Sequence, residues 1–208
     1  MTQDPDDDEI LIERARSGDQ SALAALFNLY RARLRRMVEL RLDRRLRGRI
    51  DASDVVQETY IRIAKKLEKF GEDHGDMPFF LWLRLNTGHC LIDLHRRHLG
   101  AEKRNVDLEV SIHGGAMPVT DSFSIAAQLL GRQTSPSQRV MRSETRAGLE
   151  RAIDGLDPLD REILALRHFE ELSNGEAALV LQIDDSAAST RYFRAVRRLK
   201  KALSDPAD

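Results

Sequence analysis

The sequence is short of most residue patterns from which small active sites are built. Of its 208 residues only Cys90 is cysteine, so no disulfide framework can form within the chain and no Cys-based zinc pattern exists. Aromatic residues make up 5%, which suits helices with solvated faces better than a sandwich or barrel. No apolar run approaches the ~20 residues needed to span a bilayer. The start is acidic, with Asp4, Asp6, Asp7, Asp8 and Glu9. A signal peptide would be basic and then apolar, so none is expected and the expected location is the cytoplasm.

Catalytic patterns are missing too. There is no Gly-rich phosphate loop, no nucleophile–base spacing and no His-Glu-x-x-His run. The nearest approach to a metal set is His89, Cys90, His95 and His98. On a helix, Cys90 would point about 140° away from His95, and a tetrahedral site would need ligands from elsewhere. No enzyme activity, metal or cofactor is expected.

Charge is abundant. Charged residues are 32% of the chain, and the net charge of −1 hides strong segregation. Arg31 to Arg49 holds nine arginines against Glu39 and Asp43. Such a run either tracks DNA or is a solvated helix face, and both readings stand at this point.

Periodicity predicts an all-α chain. Ile10, Leu11, Ala15, Ala22, Leu23, Leu26, Phe27 and Tyr30 recur at helical spacing around a break at Ser17-Gly18-Asp19. The next helix runs among the arginines and stops at Gly48. Asp51 or Ser53 caps another, in which Val56, Tyr60, Ile63, Leu67 and Phe70 share one face. Asp54, Gln57, Glu58 and Arg62 lie on the opposite face. The Gly- and acid-rich segment 71–78 predicts a loop, and 79–98 predicts a helix carrying the only tryptophan, Trp82. Aromatics at a loop–helix junction beside Arg84, Asn86, Arg96 and Arg97 either pack a core or stack on unpaired bases.

From residue 100 to 136 periodicity fails except for an apolar island at Ile125 to Leu130, which predicts a linker. A flexible chain of that length has a root-mean-square span of roughly 30–36 Å. The expected organisation is therefore an acidic tail at 1–9, a helical domain at 10–100, a linker at 101–137 and a second helical domain at 138–208.

The second domain ends in a helix-turn-helix pattern. Asp157-Pro158 starts one helix, Ser173 with Glu176 forms a capping box for a short second helix, and 182–185 offers a turn. The last helix carries Arg191, Arg194, Arg197, Arg198, Lys200 and Lys201, with no acid from Ser186 to Leu203. A charge run alone is as well explained by a surface helix or by an acidic protein partner. The turn, the capping box and the absence of acids favour a major-groove reader.

Five stretches carry a resemblance. They are Asp54-Val55-Val56-Gln57-Glu58-Thr59-Tyr60, Phe79-Phe80-Leu81-Trp82-Leu83, Leu159 to Arg167, Ser173 to Ala178, and Arg194 to Leu199. In this order and spacing the chain resembles the extracytoplasmic-function (ECF) group of bacterial sigma factors, over residues of about 10–100 and 138–203. The resemblance implies a promoter-specificity subunit that binds core RNA polymerase and promoter DNA, with an anti-sigma factor as a further partner. By matching positions, Asp54, Gln57, Glu58 and Arg62 would dock on the polymerase. Asp76, Phe79, Trp82, Arg84, Asn86, Arg96 and Arg97 would take the −10 element. Ser186, Ser189, Thr190, Arg191 and Arg194 would read the −35 element, with Arg197, Arg198, Lys200 and Lys201 on the backbone. Gln182 stands where the family turn usually has Gly, which implies a left-handed residue at a cost or a different turn. The alternatives are a stand-alone helix-turn-helix regulator, or a helical metal protein built on the His/Cys cluster.

Overall fold

The structure is a computed structural model, and it describes residues 5–70, 77–99, 117–118, 120–130 and 139–204. Among these residues every regular element is helical. Two compact units divide the chain. One comprises residues 1–38 and 44–104, the other residues 39–43 and 105–208.

The first unit is built from α1 (Pro5–Arg16), the greater part of α2 (Gln20–Arg41), α3 (Ala52–Ala64) and α4 (Phe79–Leu99). Helix α1 begins inside the acidic segment expected to be a tail. Proline in the first turn and acids after it fit a helix N-terminus, where N–H groups lack partners and the dipole is positive. The break before α2 is a turn with Gly18 at φ +95. Asp19 caps α2 by accepting from the backbone N–H of Ser21 (2.9 Å) and Ala22 (3.1 Å). The Ser21 hydroxyl also donates to it at 2.7 Å, and that bond, then those from the Ala22 N–H and Arg14, hold its carboxyl well below the usual carboxylate range. Helix α2 stops at Arg41, short of Gly48, and a turn runs over 44–49. Asp51, not Ser53, caps α3, through Ser53 N–H at 2.6 Å.

Leu26, Leu34, Met37, Ile63, Leu83 and Leu91 are fully buried in this unit. A cluster of rings closes one side of its core. Phe70 packs edge-on to Phe79 at 5.1 Å, and both lie against Trp82, at 5.1 and 5.6 Å.

The second unit contains α5 (Ser122–Leu130), α6 (Arg139–Asp154), α7 (Pro158–Leu164), a π-helical turn at Ala165–Phe169, α8 (Asn174–Leu181) and α9 (Asp185–Ser204). The apolar island of the expected linker is therefore a helix. Ile125 and Ala126 of α5 are buried with Leu149, Ile153, Leu164 and Ala195 in one core. Arg41 is counted with this unit and is buried in it, with its guanidinium on two buried carboxylates. It donates to Glu170 at 2.7 Å, to Glu162 and to the Pro118 carbonyl at 2.9 Å. Burial opposes its charge, but Glu162 and Glu170 outweigh that and push its pKa up. Thus the run Arg31–Arg49 has no single role: Arg41 belongs to a core, whereas Arg31, Arg35 and Arg49 are exposed.

Candidate functional site

Each unit places part of the expected machinery on its surface. In the first unit, α3 turns Val55, Val56, Thr59 and Ile63 inward. Asp54, Gln57 and Glu58 are exposed on its other side. A groove beside them is lined by Phe27, Asn28, Arg31, Gln57 and Tyr60. Its floor is firm, because Phe27 and Tyr60 meet edge to face at 5.0 Å. An apolar floor edged by amides and a guanidinium suits a protein surface more than a small molecule. Arg62 differs from its three companions. It is half-buried and donates to Asp93 of α4 at 2.9 Å, a bond that raises its pKa.

The residues expected at the −10 element separate into three groups. Phe79, Trp82, Arg84 and Asn86 are buried, Trp82 at 2% and Arg84 at 1% exposure. Asn86 donates to the Trp82 carbonyl at 2.9 Å, a bond inside the helix. In this unit the four pack against the interior, because α4 is enclosed on nearly all sides from Phe79 to Cys90. Arg96 and Arg97, in the last turn of α4, are exposed. Asp76 lies outside the described residues. Of the His89, Cys90, His95 and His98 group, Cys90 and His95 are buried. Among the described residues no three His, Cys, Asp or Glu side chains gather as a metal site would require.

In the second unit the capping chemistry is that expected. Asp157 accepts from Leu159 N–H at 2.9 Å, and Ser173 and Glu176 exchange bonds at 3.2 and 2.7 Å. Gln182 is left-handed at φ +54. It ends α8 as a left-handed cap, with no glycine to relieve the Cβ contact. The turn is then cross-braced: Asn174 donates to the Asp185 carbonyl at 2.8 Å, and Arg167 donates to Asn174 at 3.2 Å. Arg167 also lies over the ring of Tyr192, 4.5 Å from its centroid.

Helix α9 buries one narrow stripe, Ala188, Ala195 and Leu199. The 3.6-residue period then places Ser186, Thr190, Phe193 and Arg197 at the middle of the opposite face. All four are exposed, Phe193 at 65%. Arg194, Arg198, Lys200 and Lys201 are exposed too, and Ser189 is half-buried. Phe193 was not among the expected contacts, and its place on the helical wheel opposite Ala188 and Ala195 is the signal that finds it.

Two of the expected readers are held by carboxylates. Arg194 donates Nε and Nη2 to Asp160, both at 2.6 Å. Arg191 donates Nη1 to Asp160 at 2.7 Å and to Asp157 at 3.0 Å. Burial pushes the Asp160 carboxyl up, but the bonds from Arg194 and Arg191 win and leave it below the usual range. Donating to Asp160 in turn raises the pKa of Arg194.

The chain is 27% identical over 197 residues to "ECF RNA polymerase sigma factor BldN" of Streptomyces coelicolor, covering 95% of this chain and 66% of that protein. It is 29% identical over 197 residues to the RNA polymerase sigma-H factor of Pseudomonas aeruginosa, covering 94% and 93%. The chain thus spans about two thirds of the length of BldN and nearly all of sigma-H. Its fold is similar to that of CnrH, solved in complex with the cytosolic domain of CnrY, with a TM-score of 0.56 at 22% identity over 97% of this chain and 99% of that one. The family model for ECF sigma factors matches residues 8–205. The chain belongs to the ECF sigma factor family, and its role is that of a sigma factor in promoter recognition and transcription initiation.

Proposed function

We propose that the chain divides this role between its two exposed helix faces. The edge of α3 with Asp54, Gln57 and Glu58 docks on core RNA polymerase, with Arg62 bracing α3 on α4. Helix α9 enters the major groove of duplex promoter DNA at the −35 element. Arg96 and Arg97 hold phosphates near the −10 element, and the buried Phe79, Trp82, Arg84 and Asn86 give that region its shape. The domain roles are residues 10–100 for polymerase and the −10 element, and 138–208 for the −35 element.

The observation that carries this reading is the outer face of α9. It is free of acids from Ser186 to Ser204, mounted across a braced left-handed turn, and centred on Ser186, Thr190, Phe193 and Arg197. Hydroxyls and guanidinium read base edges, an aromatic ring contacts a thymine methyl, and flanking lysines and arginines hold phosphates. Such a protein works in the cytoplasm, by binding rather than by catalysis. A cytosolic protein domain, as CnrH has in CnrY, is a third partner for the same surfaces.

Co-purification with core polymerase at physiological salt tests the first half. The chain should associate, and Gln57→Ala with Glu58→Ala should weaken association at least tenfold without lowering thermal stability. A chain that binds duplex DNA but never core polymerase would instead be a stand-alone regulator.

A further inference from the structure

The second unit contains an arrangement that groove reading does not by itself require. Asp160 sits in the first turn of α7, and its side chain is 4% exposed. It gathers two arginines of α9, at three donor distances between 2.6 and 2.7 Å. A guanidinium offers five N–H donors on two different edges. Asp160 grips Arg194 side-on, through Nε and Nη2, one donor to each oxygen. The end-on edge, Nη1 with the second proton of Nη2, faces away from that grip, and half of the Arg194 side chain is open to solvent. Arg191 is treated differently. Its Nη1 is shared between Asp157 and Asp160, and the side chain is 26% exposed.

We propose that Asp160 is a positioning residue for duplex recognition, which holds Arg194 side-on so that its end-on fork meets a guanine edge and keeps Arg191 back from the bases. The proposal rests on the assignment of α9 to duplex DNA. A bidentate fork reads guanine only when its plane is fixed, and a long, freely turning arginine meets phosphates as readily as bases. One carboxylate between two guanidiniums also removes a positive charge from the reading face. Its loss therefore has a signature that a mere packing defect lacks. Base discrimination falls, while affinity for unrelated duplex stays level or rises and its salt dependence steepens by about one charge.

The test uses the full chain with core polymerase. Wild-type holoenzyme first selects from a randomised duplex library. Asp160→Asn, Arg194→Ala and the double variant are then bound to the selected duplex and its single-base variants over a salt series. Asp160→Asn should lose roughly tenfold in preference, at the same base pair at which Arg194→Ala loses it. In the Arg194→Ala background it should change that preference no further. Lys200→Ala should lower affinity evenly across all sequences. Undiminished preference in Asp160→Asn overturns the proposal, as does an equal weakening on every duplex, or a further loss in the double variant. Should Asp160→Asn fail to fold by circular dichroism, Arg194→Lys decides, since lysine keeps the charge but has no edge to grip. Preference at that pair should fall, and unchanged preference overturns the proposal. A wild type that selects no duplex sequence sinks the groove-reading assignment itself. That result is distinct from a selective wild type beside an equally selective Asp160→Asn.

Discussion

Helices α4 and α9 are nearly equal in length, and both set arginines beside aromatic residues. Helix α4 is enclosed along most of its length, so Trp82, Arg84 and Asn86 are core residues. Helix α9 buries only a stripe of small and medium residues, so Phe193 and most of its cations meet solvent. Charge separates the two in part, with three arginines in α4 against four arginines and two lysines in α9. The width of the apolar stripe completes the separation, because a helix apolar on all sides must be packed on all sides. What a basic, aromatic helix contributes to nucleic-acid binding thus depends on how much of it the fold consumes.

The largest effects would come from the enclosed side of this comparison. Trp82→Ala should destabilise the first unit by about 3–5 kcal/mol, as loss of a buried aromatic ring does, measured by urea unfolding followed by circular dichroism. If the variant kept full stability and lost only binding to unpaired DNA, Trp82 would be a contact and the contrast with α9 would break. Arg41→Ala should cost the second unit a similar ~3–5 kcal/mol, because the buried carboxylates of Glu162 and Glu170 would lose the guanidinium that lies between them. Arg49→Ala, on the exposed part of the same arginine run, should stay within about 0.5 kcal/mol. Equal effects at the two positions would remove the distinction drawn within Arg31–Arg49.

Smaller effects sharpen the account of the exposed side. Gln182→Gly should stabilise the second unit by up to about 1 kcal/mol, by relieving a side chain at a left-handed turn. Destabilisation would mean that the glutamine side chain makes a contact of its own. Acid should act through Asp160. Its folded pKa is depressed, so its stabilisation is complete above the unfolded value of about 4 and is lost as pH falls through the lower folded value. Thermal melts from pH 6 downward should show less of this acid loss in Asp160→Asn than in wild type.

Much of the second unit was legible because its signals are local. A serine with a glutamate three residues on, an aspartate before a proline, and a break at Gln182 each act within one turn of backbone, and the structure uses all three. The helix at Ser122–Leu130 was not legible as such. Its nine residues sit in a Ser-, Gly- and Thr-rich stretch, and only packing of Ile125 and Ala126 into a distant core makes the helix worth forming. Arg41 was hidden for the same reason: its carboxylate partners lie 121 and 129 residues away. At the candidate sites, the exposed acids and amide of α3 followed from periodicity, but the pairing of Arg62 with Asp93 and of Arg191 and Arg194 with Asp160 did not. Ion pairs between helices are set by tertiary approach, which spacing along one helix cannot express.

In vitro transcription by core polymerase and the full chain on fragmented genomic DNA, with start sites mapped, tests the division of labour most directly. The account predicts a limited set of starts sharing two upstream sequence blocks, and the upstream block alone should lose definition in Arg194→Ala. Starts no different from those of core polymerase alone, or an upstream block unaltered by Arg194→Ala, would contradict it.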